Sequence, residues 1–229
     1  MHEPARLQAD AAIDSPPMAR AVTATELASQ LAGRLCHDFI SPASAITSGL
    51  DLLEDPTAQD MREEALGLIT ASARKLVALL AFSRVAFGTS ATAENFDPRE
   101  LETLTRGVYA HVRPDLDWGV ELPVLDKPSA RTLLNMAQIA ATTLPTGGMV
   151  RITAVAEGAD TVIQAEGRGP RARVRPEVVT GLAGQPLSEG LGGQWVQAYY
   201  LHALVQAAGG QLGYELGEDT VRLRARVPS

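Results

Sequence analysis

The stretch LAGRLCHDFISPASAI, Leu31 to Ile46, places a histidine beside an acid, His37-Asp38, with Pro42 five residues on. Around it the pattern is helical. Leu27, Leu31, Leu35, Phe39, Ile46, Leu50 and Leu53 recur at three-, four- and seven-residue steps, the spacing of one helix face. The pattern predicts a helix from Thr25, read as its N-cap, to Glu54. EDPT, Glu54 to Thr57, ends it, because the residue before a proline avoids the α region. A second run, from about Ala58 to Phe87, repeats the spacing with Met61, Ala65, Leu68, Ser72, Leu76, Leu79 and Phe82, and Gly88 closes it. At 1.5 Å per residue each helix is about 45 Å long. Joined by a short turn they form an antiparallel hairpin, which cannot bury its apolar face alone. Pairing with a second copy, as a homodimeric four-helix bundle, is the expected solution.

Pro42 in mid-helix removes a backbone hydrogen bond, leaves the Asp38 carbonyl without its donor and kinks the helix. In a purely structural helix this costs about 3 kcal/mol, which points to a functional reason. Arg34, His37, Ser41, Ala45 and Ser48 form a separate stripe at i−3, i+4, i+8 and i+11 about the histidine. Its small residues leave room for a partner helix, so these positions are candidate partner contacts. The simpler reading of His37 is a lone surface or core histidine, and of Asp38 a solvated helix acid.

Composition narrows the classes. The chain has 229 residues, 45% hydrophobic and 21% charged, enough for a globular core. A net charge of −7 argues against nucleic acid as the main partner. Cys36 is the single cysteine, which excludes internal disulfides and Cys-based zinc sites and fits a reducing cytoplasm. A Cys36-His37 dyad is disfavoured, because adjacent helical residues point about 100° apart. No apolar run is read as approaching the roughly 20 residues that span a bilayer, so no membrane partner is expected. Met1 to Ala21 carries acids and prolines without an apolar core, and is read as a disordered tail at 1–21 rather than a signal peptide.

The hairpin is assigned to 22–90 and a second domain to 94–229. That domain opens with Asp97 as cap and Pro98 at the first helical position. DWGVELP reads as a strand, and SARTLLNMAQIAATTLP as a helix capped by Ser129. GGMVRITAVAE and DTVIQAEG read as paired strands, EGLGGQWVQAYYLHALVQAAGG as a helix, and QLGYELGEDTVRLRARVP as a hairpin turning at Gly217 to Asp219. The class is α+β: an N-terminal helical hairpin and a C-terminal α/β sandwich.

With these elements in order, the chain resembles a sensor histidine kinase core without its sensor. HDFISP, His37 to Pro42, is similar to the family's H-box. LLNMAQIAATTLPTGG, Leu133 to Gly148, lies where the N-box helix would be, and GQWVQAYYLHALVQAAGGQLGYE resembles the helix and strand after the nucleotide lid. The resemblance covers nearly everything after residue 25, and its departures carry information. Ile139 stands where the family's magnesium-holding asparagine would be, and Thr142 where a basic residue is usual. In AEGRG, Ala165 replaces the aspartate that reads adenine. The lid is reduced to EGLGG, Glu189 to Gly193. An aliphatic side chain cannot ligate a hard cation. The resemblance therefore implies a degenerate ATPase-like domain that binds neither ATP nor metal of its own.

LCHDFISPASAI, GLDLLEDP, RKLVALLAFSRVAFG, HVRPDLDW and RPEVVTGLAGQPLSEGLGG are similar to the alphaproteobacterial histidine phosphotransferases. That resemblance implies His37 as phosphoacceptor, with Asp38 holding its tautomer or taking up its proton. It implies as partners the receiver domain of a CckA-like hybrid kinase and CtrA-like and CpdR-like response regulators, with Mg2+ supplied by the receiver. Imidazole suits a relay because its unperturbed pKa of about 6.5 leaves much of it nucleophilic at pH 7. Two other readings stay open here, a divergent ATP-dependent histidine kinase and a non-catalytic receiver-binding scaffold.

The remaining signals are weaker. GRGPRARVRPE holds Arg168, Arg171, Arg173 and Arg175 on an acidic protein. It reads either as a solvated remnant of a lid or as a contact for an acidic receiver face. His2 lies in the tail, His111 closes a helix, and His202 is assigned to packing or surface.

Overall fold

The computed structural model describes residues 22–88, 94–187 and 192–229. The expected tail at 1–21 lies outside them, as does the reduced lid apart from Gly192 and Gly193. Helix α1 spans Ala24–Glu54, a 3-10 turn Gln59–Met61 follows, and α2 spans Arg62–Ala86. Strand β1 is Asn95–Phe96, α3 is Pro98–Tyr109, β2 is Asp115–Val120 and β3 is Leu125–Asp126. Then come α4 (Lys127–Thr142), β4 (Met149–Glu157), β5 (Asp160–Arg168), α5 (Pro176–Leu182), α6 (Gly193–Ala207), β6 (Gln211–Leu216) and β7 (Thr220–Pro228).

The α+β class stands, and several boundaries move. The cap of α1 is Thr23, not Thr25: the Thr23 hydroxyl accepts from the Glu26 amide while the Glu26 carboxylate accepts from the Thr23 amide at 2.9 Å, a capping box. Likewise α4 is capped by Asp126, whose carboxylate accepts from the Ser129 amide at 2.8 Å. Ser129 is buried, and its hydroxyl has no partner among the described residues. In both cases a residue two or three positions upstream could reach the orphan amides, which periodicity alone does not reveal. The turn-length α5 and the β1–β3 pair escaped the sequence reading, because two-residue strands and a seven-residue helix leave no period to detect.

Helices α1 and α2 cross closely at Gly49. A Cβ there would lie 2.6 Å from Ile69 Cγ1 and 3.2 Å from the Ala65 carbonyl oxygen, so only glycine fits unmoved. Pro42 is buried in the same hairpin, and α1 runs unbroken through it. The five-stranded sheet has the order β2-β4-β5-β7-β6, with β2–β4 parallel and the other pairs antiparallel. Val221, Leu223, Ala225 and Val227 of β7 turn inward onto the helices. Arg222, Arg224 and Arg226 turn outward and pair with Glu166, Glu157 and Asp160.

The hairpin is not a separate body. Phe82 and Ala86 of α2 are 1% and 0% exposed and belong to the same apolar core as Leu133, Ile152 and Leu223. The carbonyl oxygen of Ala86 accepts from the Asn135 amide of α4 at 3.2 Å and from the Tyr200 hydroxyl of α6 at 3.4 Å.

One expectation is corrected. Among the described residues, Gln59–Ala86 is long and apolar enough to cross a membrane by length and composition, and most of it is not buried. Sequence inspection missed it because Arg74 and Lys75 interrupt the run. At a bilayer centre each would cost about 3 kcal/mol. The same richness has another explanation in the fold: α2 must face α1, the sheet domain's helices and whatever covers its exposed side.

Candidate functional site

His37 lies near the middle of α1 and turns outward, its side chain 88% exposed. Its Nδ1 is 3.4 Å from Asp38 Oδ1. That contact favours the tautomer with the proton on Nδ1, which leaves the Nε2 lone pair facing solvent. Asp38 is itself held: its other oxygen, Oδ2, is 3.6 Å from Arg34 Nε, one turn earlier. Arg34 Nη1 also donates to the Gly193 carbonyl oxygen at the start of α6. A line of contacts thus runs from the first turn of α6 through Arg34 and Asp38 to the imidazole. Burial pushes the Arg34 guanidinium below its usual pKa, and the charge of Asp38 opposes that shift. A guanidinium remains protonated all the same.

Beside His37 opens a cleft of about 350 Å³ between the hairpin and the sheet domain. His37, Asp38 and Ser41 form its α1 side, Lys75 and Leu79 its α2 side. The opposite wall is the end of α3, with His111 following it, and the last turns of α4, with Gln138 and Thr142. The wall is fixed from behind. The buried Tyr109 hydroxyl donates to the Ala137 carbonyl oxygen at 2.7 Å, and burial raises its pKa far above the ordinary tyrosine value. Gln197 of α6 donates to Gln138 Oε1 at 2.5 Å.

The arginine loop lies one residue beyond this wall. The Arg173 amide donates to the Thr143 carbonyl oxygen at 2.9 Å, and Thr146 Oγ1 donates to the Pro170 carbonyl oxygen at 2.6 Å. Arg171 has a positive φ of 61°, which its amide hydrogen bond to Asp219 Oδ1 helps to hold. Arg168 pairs with Glu166, and Arg175 with Glu177 at 3.9 Å. Arg171 and Arg173 are exposed and make no ion pair among the described residues.

Residues 98–220, over half of the chain, match the family described as histidine phosphotransferase C-terminal domain. The chain belongs to the histidine phosphotransferase family. Its similarity to the protein phosphotransferase ChpT of Brucella abortus (strain 2308) is 34% identity over 206 residues, covering 87% of this chain and 95% of that one. A solved bacterial phosphotransferase superposes with a TM-score of 0.81 at 29% identity, covering 90% of this chain and 98% of that one.

Within this histidine phosphotransferase, the positions singled out from sequence separate into groups. His37, Asp38 and Ser41 meet at the cleft, and Ser48 is exposed further along α1. Ala45 is half-buried. Arg34 departs from expectation: it is not an open partner contact, because its side chain is 12% exposed and already bound to Asp38 and Gly193. Periodicity placed it on the histidine face but could not show α6 lying against that face. Ile139 and Ala165, 2% and 0% exposed, lie in the apolar core. The asparagine that α4 does carry, Asn135, is fully buried and spends its amide on Ala86 and Arg131. His202 packs as expected, its Nδ1 2.9 Å from the Leu182 carbonyl oxygen. Lys75 and Gln138 were missed, and His111, read only as the close of a helix, lines the cleft. They come from three separate parts of the chain, and no local spacing links them to His37.

Proposed function

We propose that this chain is an intermediary of a two-component phosphorelay. His37 takes a phosphoryl group from the receiver-domain aspartate of a CckA-like hybrid kinase and hands it to CtrA-like and CpdR-like response regulators, all in the cytoplasm. The observation that carries the reading is the imidazole itself, 88% exposed in mid-helix with Nδ1 toward Asp38. Nε2 attacks the phosphorus of the aspartyl phosphate, an N–P bond forms, and the P–O bond breaks. The aspartate leaves with the electron pair as a carboxylate. The ring is then cationic, and Asp38 stabilises its Nδ1 proton. The reverse step, on a second receiver, regenerates neutral imidazole. Alignment and charge neutralisation are the main requirements for such a transfer. Mg2+ is the receiver's contribution.

Two features support a relay rather than an ATP-dependent kinase. The side chains of Ile139 and Ala165 offer no oxygen to magnesium or adenine and are sealed in the core. Asn135 is committed to holding α2. A homodimer through a four-helix bundle is supported by the large apolar side chains that the hairpin leaves exposed, among them Ile40, Leu50, Leu66, Val77 and Leu80. Arg171 and Arg173, beyond the cleft wall, are suited to meet a receiver's acidic face.

The test mixes the full chain with a labelled, phosphorylated receiver. Label should move to the wild type and not to His37→Ala, while light scattering still reports a dimer. Retained labelling of His37→Ala removes the assignment. Incorporation from labelled ATP without a receiver would instead favour a kinase, and stable co-elution without transfer a scaffold.

A further inference from the structure

The cleft beside His37 holds two hydrogen-bond donors for which the described residues supply no acceptor. Lys75 is half-buried on α2, in a lining that includes Leu79, and makes no ion pair or hydrogen bond among the described residues. Across the cleft, Gln138 uses its carbonyl oxygen to accept from Gln197, and its amide nitrogen has no acceptor among the described residues. An ammonium partly withdrawn from water without a counter-charge is costly, as is an unpaired amide. Charge in the lining is lopsided. Arg34, Lys75 and the titratable His111 face a single carboxylate, Asp38, which Arg34 and His37 already engage. Such a lining suits an oxyanion with several acceptor atoms.

A phosphoryl group attached to His37 would be one, carried by a side chain of the same lining. We infer that the cleft is the resting place of the His37 phosphoryl group, with Lys75 contacting its oxygens from α2 and Gln138 donating from α4. This rests on His37 being the phosphoacceptor. An N–P bond breaks through a loose transition state in which the phosphoryl oxygens push out the ring nitrogen. An ammonium against those oxygens draws their electron density back and so slows loss of the group. Lys75 thereby lengthens the life of phosphohistidine between receivers.

The experiment uses the full chain, phosphorylated with phosphoramidate so that no receiver is needed. After the donor is removed, decay of phosphohistidine is followed by phosphorus NMR. Lys75→Met, which keeps the apolar stem, should shorten the half-life about tenfold, the worth of one charge-assisted contact. It should also move the phosphohistidine resonance and should not lower the melting temperature, since it removes an unpaired, half-buried ammonium. Lys75→Arg should decay as wild type, and Lys75→Gln replaces Lys75→Met should the latter not fold. Decay within twofold of wild type, with His37→Ala unlabelled, overturns the role of Lys75 and leaves the acceptor standing. Labelling of His37→Ala overturns both.

Discussion

At the scale of single residues, charge placement separates structural pairs from the site. Glu166 is a structural case. Its side chain is 12% exposed on the open face of the sheet, and it accepts from Arg168 and from Arg222 Nε at 2.8 Å. The hydrogen bond from Arg168 does most to hold its carboxyl below the usual carboxylate range, ahead of Arg222 and against the opposing effect of burial. The folded state therefore favours the ionised form. Its stabilising contribution is present above the ordinary glutamate pKa of about 4.3 and is lost as pH falls through the lower, folded value. Both arginines are open to water, so Glu166→Gln should lose about 1 kcal/mol at pH 7 rather than the several of a sealed pair. Urea unfolding at pH 7 and in acid should show the difference shrinking as pH drops. A gap that persists unchanged would mean shape, not charge, holds that position.

At the scale of elements, the α1–α2 crossing is the tightest point of the hairpin. Replacing a helical glycine with alanine ordinarily gains up to about 1 kcal/mol. At Gly33, where nothing lies within 4 Å of an added Cβ, that gain should appear. At Gly49 the same methyl meets Ile69 Cγ1 at 2.6 Å, and overpacking of about 1–3 kcal/mol outweighs the gain. Denaturant melts of Gly33→Ala and Gly49→Ala should therefore move in opposite directions. His37, one turn from Gly33, depends on this helix being placed well, so Gly49→Ala should slow transfer while Gly33→Ala need not touch the hairpin's packing.

At the scale of the whole molecule, the hairpin and the sheet domain share a core. Asn135 donates to the end of α2 and accepts from Gln197 at 3.4 Å, with all three groups buried. Asn135→Ala leaves the Gln197 amide with one partner fewer and removes one of the two donors to the Ala86 carbonyl, a loss of about 2 kcal/mol. Calorimetry should find one unfolding transition for the full chain, because Phe82 and Ala86 of the hairpin are buried in the same core as the sheet domain. Two separate transitions would contradict the shared core. Glutamates in place of Val77 and Leu80, 65% and 47% exposed, should dissociate the proposed dimer in light scattering without lowering helix content.

Much of the fold was legible in the chain because helix and strand periods are local properties. Leu27 to Leu53 announced α1, the alternation through β4, β5 and β7 announced the sheet, and His37-Asp38 with Pro42 marked the centre of interest. Other features come from segments far apart in sequence. Spacing put Arg34 on the histidine's face, but only the packing of α6 against α1 turned it from a surface contact into an internal tie. Lys75 and Gln138 gave no signal and His111 read only as a helix end, since a cleft between α2, α3 and α4 exists only once those helices meet. Periodicity fixes which side of an element is apolar, whereas the neighbour that side meets, and the polar groups left facing each other, depend on how the elements pack in three dimensions.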